Sequence, residues 1–119
     1  MSEPKPIYTT ESSKLIFELI KHSEFGEIRR VRLPNGLGLA LVVGDNDYGG
    51  ILTISRVVAG NMPTDREMKR VLSELKEAFS GVGRPVLLFK KLFAEMSVDG
   101  CYYVVRFAVY FGEQGRLFN

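Results

Sequence analysis

Side chains able to do chemistry are few in this chain, and they are scattered. His22 and Cys101 are the single histidine and the single cysteine of 119 residues. Nucleophilic catalysis needs a nucleophile, a base and an orienting partner, and neither residue has a local pattern that supplies them. One His and one Cys also fall short of a zinc site. The loop "DNDYGG", residues 45–50, invites a calcium reading, with Gly50 at the sixth position. Yet Gly49 replaces the fifth ligand, and Arg56 stands at the twelfth, where a bidentate acid is required. That leaves Asp45 and Asp47 as turn formers in a strand connection. "ELK" at Glu74–Lys76 has the letters of a metal-dependent nuclease but sits inside a helical stretch, and Glu77 shares the same exposed flank. "GLGLAL" at Gly36–Leu41 lacks the third glycine of a dinucleotide fingerprint and leads into a strand. The expectation is a non-enzymatic chain with no catalytic residue, no metal site and no cofactor.

Binding chemistry is better represented. The run "YYVVRFAVYF" from Tyr102 to Phe111 is apolar on both alternating faces, whereas a strand with one wet face should alternate apolar and polar. Asp99-Gly100 reads as a two-residue hairpin turn, with Val98 opposite Cys101. That register sets Met96 opposite Tyr103, Ala94 opposite Val105 and Leu92 opposite Phe107 on the core face. The second face then gathers Phe89, Lys91, Phe93, Tyr102, Val104, Arg106 and Tyr110. These seven are the candidate partner-binding or dimer residues. Lys90 on the nominal core face signals a bulge nearby. A helix over Pro85–Met96 is the competing reading, since Leu88, Leu92 and Met96 also share helical spacing.

The elements that position this ribbon can be read along the chain. Residues 1–8, with Pro4 and Pro6, read as a flexible N-terminal segment. Thr10 is an N-cap for a first helix with a Leu15, Ile16, Leu19, Ile20 stripe, ending near 22–26. "LPNGL" at Leu33–Leu37 is hairpin chemistry, because Asn-Gly accepts the left-handed turn conformation. Val31, Leu33, Leu37, Leu39, Leu41 and Val43 then share one face, with Arg30, Arg32, Gly38 and Ala40 on the other. Ile51–Val58 is a third strand. Thr64 to Glu67 is a capping box, followed by a Met68, Val71, Leu72, Leu75, Phe79 stripe and stopped by Gly81 and Gly83. The order α-β-β-β-α-β-β predicts an α+β fold. It is a two-layer sandwich with a mostly antiparallel five-stranded sheet and two helices, in one domain over 1–119. This order resembles that of small dimeric secretion chaperones, which bind unfolded segments of a client. Those usually finish with a further helix, for which "GEQGRLFN" is too short and glycine-broken.

Net charge of +2 demands neither nucleic acid nor an anionic membrane. No apolar run approaches the ~18 residues of a membrane span, and the N-terminus has no apolar signal core, so a cytoplasmic location is expected. Two helix stripes can cover one sheet face but not both. The uncovered face should therefore touch another copy of the chain or a protein segment, as a homo-oligomeric, adaptor- or chaperone-like module. The alternative is a single-stranded nucleic-acid binder, stacking bases on the aromatics and neutralising phosphates with Arg106, Lys91 and the Arg29, Arg30, Arg32 cluster.

Overall fold

The computed structural model describes residues 10–23, 29–44 and 49–112. The calcium-like acids Asp45 and Asp47, the N-terminal segment and the C-terminal "EQGRLFN" lie outside the described residues. Two helices, α1 (Glu11–Ser23) and α2 (Asp65–Gly81), pack on five strands: β1 (Arg29–Arg32), β2 (Gly38–Val43), β3 (Gly49–Val57), β4 (Val86–Met96) and β5 (Tyr102–Phe111). The fold class and element order are as expected. Every pairing is antiparallel, and the strands run β1-β2-β3-β5-β4 across the sheet. β5 thus returns to lie between β3 and β4 as an interior strand.

Local chemistry sets the ends of these elements. Thr10 caps α1, its hydroxyl accepting from the Ser13 amide at 3.0 Å. At α2 the capping box closes both ways: the Glu67 amide donates to the Thr64 hydroxyl at 3.1 Å, and the Thr64 amide donates to the Glu67 carboxylate at 3.0 Å. The helix stops at Gly81 as expected, and its far end is a Schellman motif built on Gly83. Gly83 takes φ +82°, its amide donates to the Ser80 carbonyl, and the Arg84 amide donates to that of Phe79. In the β1–β2 turn Gly36 has φ +90°, and Asn35 Oδ1 accepts from the Leu37 amide at 3.0 Å.

One core results, on one side of the sheet. Ile16, Leu19 and Ile20 of α1, with Val71, Leu75 and Phe79 of α2, meet Leu39, Leu41, Leu52, Ile54, Val105 and Val109. All of these are buried. Gly50 lies within this framework. A β-carbon there would come within 2.5 Å of the Val42 carbonyl oxygen, a backbone atom that cannot swing aside. Gly50→Ala should therefore lower stability by about 1–3 kcal/mol, the range for overpacking, read as a reduced urea midpoint.

The β4–β5 ribbon departs from expectation in two places. Its tip is a four-residue connection, Val98–Cys101, closed by the Ser97 amide donating to the Tyr102 carbonyl at 2.7 Å, so Val98 and Cys101 are not a ladder pair. Asp99 supports the turn: its carboxylate accepts from Ser97 Oγ and the Cys101 amide, and these bonds hold its pKa below the usual value. The second departure is in the pairing of β4: the bulge that Lys90 signals falls at Leu92, with a further irregularity at Leu87, and shifts the register that was expected. Met96 opposes Tyr103, Ala94 opposes Val105 and Phe93 opposes Arg106, as expected. Beyond Leu92 the alternation flips, because a bulge residue adds one position to β4. Residues 86–96 are strand throughout, not helix.

Candidate functional site

Both helices cover the same side of the sheet, so among the described residues nothing shelters the opposite side. Three rows of side chains define it. Arg32, Gly38, Ser55, Val104 and Glu95 lie side by side across the five strands. Next to them run Arg30, Ala40, Thr53, Arg106 and Phe93, and then Val42, Ile51, Ala108 and Lys90. Tyr102 stands beyond the first row, opposite Val57. Tyr110 stands beyond the last, opposite Leu88.

Of the seven candidate residues, Phe93, Tyr102, Val104, Arg106 and Tyr110 occupy this open face. Phe89 and Lys91 do not. The bulge at Leu92 sets Phe89 opposite buried Val109 and Lys91 opposite buried Phe107, on the helix side. Phe89 packs against the core there. Lys91 stays exposed because β4 is an edge strand. In exchange Lys90 and Leu88 move to the open face. Phe89 thus takes the place of a lysine opposite Val109, while Lys91 takes the place of Leu92 opposite Phe107 and keeps its ammonium in water at the sheet edge.

The face divides into two halves. At the Tyr110 end it is apolar: Ile51 is 38% exposed, Tyr110 42% and Leu88 45%. At the other end lies a shallow groove of about 690 Å³. Its floor is small and hydroxylated, with Gly38, Ala40, Thr53 and Ser55. Arg30 and Arg32 form one wall, Arg106 and Tyr102 the other. Arg106 is held in place: its Nε donates to Thr53 Oγ1 at 3.2 Å, and its guanidinium lies 5.2 Å from the centre of the Phe93 ring. Arg30, Arg32 and Arg106 have no carboxylate partner among the described residues.

Local pattern placed Arg30 and Arg32 opposite the core face of their own hairpin, but it did not join them to Tyr102 and Arg106. The pairing of β3 with β5 makes that junction, and those strands lie some fifty residues apart in the chain. Thr53 and Ser55 entered the site through their strand pairing, whereas Gly38 lies beside Arg32 on the face already expected for that hairpin.

A second depression, of about 350 Å³, sits between the start of α1, the β1–β2 turn and α2. Its carboxylates are already engaged, Glu74 with Arg70 at 3.6 Å and Glu67 with Arg56. His22 falls in the last turn of α1 and Cys101 is exposed at the ribbon tip, at opposite ends of unrelated elements. The described residues contain no cluster of three potential metal ligands and no helix long and apolar enough to cross a membrane. Comparison with protein families, with curated proteins and with solved structures gives no match.

Proposed function

We propose that the chain is a non-enzymatic interaction module that self-associates and binds a protein segment through its open sheet face. The observation that supports this reading is the apolar half of that face. Val42, Ile51, Ala108, Tyr110 and Leu88 form a contiguous patch that the two helices leave to solvent. Monomeric proteins rarely leave large contiguous apolar patches bare, because their hydration is unfavourable. Charge decides where a second copy would sit. The groove half carries Arg30, Arg32 and Arg106 against Glu95 alone, so stacking the basic halves of two copies would oppose like charges. Contact through the Tyr110 end involves one cation, Lys90 on edge strand β4, which is exposed and whose long stem lets its ammonium stay in water.

Sedimentation at micromolar concentration tests the self-association. The wild-type chain should run as a dimer or larger, and Ile51→Lys and Tyr110→Lys as monomers with unchanged circular dichroism. A wild-type monomer across that range defeats the self-association reading.

Nucleic-acid binding draws less support from the geometry. Stacking needs free aromatic faces in close succession. Phe89 faces the helices, and Phe93 lies under the Arg106 guanidinium. Tyr102 and Tyr110 are eight residues apart on β5, about 27 Å at strand rise.

A further inference from the structure

We infer that the basic groove beside the apolar patch is a docking site for an extended, acidic polypeptide segment. The inference rests on reading the open face as a protein-contact surface and supplies the chemistry of the segment it takes. Three features carry it.

The first is charge. Arg30 and Arg32 on one wall and Arg106 on the other converge on the groove, and none is neutralised by a carboxylate among the described residues. Guanidinium groups prefer carboxylates that can accept two hydrogen bonds at once, and such charge-assisted bonds are the strong ones. Arg106 has its Nε committed to Thr53 and its guanidinium carbon over the Phe93 ring, and its terminal nitrogens have no hydrogen-bond partner among the described residues.

The second is spacing. Arg30 and Arg32 are alternate residues of one strand, about 7 Å apart. Alternate side chains of an extended partner repeat at the same distance. A segment lying along β2 and β3 with acids at every second position would meet both arginines in register.

The third is the floor. Between the walls the sheet presents Gly38, Ala40, Thr53 and Ser55, which are short enough to admit a backbone. The walls stand three strand spacings apart, about 14 Å between backbones, which leaves room for one extended chain. Gly38 matters most here. A β-carbon at that position would lie 2.9 Å from Ser55 Oγ, so any side chain there displaces the hydroxyl and fills the floor. Thr53, Ser55 and Tyr102 supply hydroxyls for the segment's polar groups.

The test uses a fluorescent peptide of alternating glutamate and valine, its lysine–valine counterpart, and a labelled oligothymidylate of equal length. Fluorescence anisotropy of the full chain should show the acidic peptide bound, with affinity falling as salt rises. The lysine peptide should not bind. Arg32→Glu, on an exposed side chain, and Arg106→Ala should each weaken binding at least about tenfold. Gly38→Val should do so with no change of charge, while Lys76→Glu on α2 should have little effect. Absence of acidic-peptide binding overturns the inference, as does binding indifferent to Arg32 and Gly38. Oligothymidylate bound as tightly as the peptide also overturns it and turns the groove toward nucleic acid. Self-association is read separately by sedimentation, so a dimer with no peptide affinity would remove the groove assignment alone, and a peptide-binding monomer would remove only the dimer.

Discussion

Glu67→Ala should cost the fold about 3–5 kcal/mol, the range for stranding a buried charge, and should cost more than Arg56→Met. The asymmetry follows from burial. The Arg56 side chain is 10% exposed and that of Glu67 is 29%. Arg56 sits on the helix side of β3, in line with Leu52 and Ile54, where an unpaired guanidinium has little access to water. Its Nη1 donates to Glu67 Oε1 at 3.1 Å, and its Nη2 donates to Oε2 of the same carboxylate. Further bonds reach the Gly60 and Asn35 carbonyls, so one side chain ties β3 to the β1–β2 turn, the turn after β3 and the start of α2. Removing Glu67 leaves that guanidinium with two carbonyls and no counter-charge, and it also opens the α2 capping box. Removing Arg56 leaves a carboxylate that water can reach and that still caps the helix. For a domain of this size, with an m-value of about 1–3 kcal/mol/M, the Glu67→Ala urea midpoint should fall by about 2 M. Equal losses for the two variants would show that burial is not what sets the cost.

The same carboxylate gives the fold an acid sensitivity with a defined sign. Hydrogen bonds from Arg56, first, and then from the Thr64 amide hold its pKa down from 4.5 to about 2. A group with a lowered folded pKa stabilises fully above its unfolded value and loses that contribution as pH falls through the folded one. Urea midpoints of the wild-type chain should therefore decline between pH 4.5 and 2. Glu67→Gln should start lower and decline less across that window.

What could be read from residues alone was whatever short segments decide for themselves. Thr64 with Glu67, Asn35 with Gly36, and the Val71, Leu75, Phe79 stripe each act within one turn of backbone, and each appears where expected. Arg56 was half legible. Alternation along "ILTISRVV" aims it inward beside Leu52 and Ile54, and an inward arginine requires a carboxylate. Which carboxylate depends on how α2 returns over the sheet. The groove was hidden for the same reason. Arg30 and Tyr102 come to line one groove only when β5 inserts beside β3, a choice made by the whole core and not by either segment. Lys90 signals a bulge but does not fix its place, since "FKKLFA" permits an unbroken ladder with Lys90 inward as readily as a kinked one with Phe89 inward. In the bulged ladder Phe89 is buried against Val109, and Lys91, opposite Phe107 in place of Leu92, stays exposed on the edge strand.

That choice of register yields the second large effect. Phe89→Asp should cost about 3 kcal/mol or more, combining lost apolar burial with a carboxylate held against the core. Aspartate is too short to reach solvent as a lysine could. Leu88→Asp, one residue away, should change stability by less than about 1 kcal/mol, because Leu88 lies on the open face opposite Tyr110. It should instead weaken self-association, since it places a charge in the apolar patch. Unfolding curves at concentrations dilute enough to hold both variants monomeric separate the two quantities. In an unbroken ladder the roles reverse, with Leu88 facing the helices and Phe89 the solvent. A larger stability loss for Leu88→Asp than for Phe89→Asp would thus overturn the bulged register. The assignment of Lys90 to the open face, where it borders the apolar patch, would then have to be redrawn.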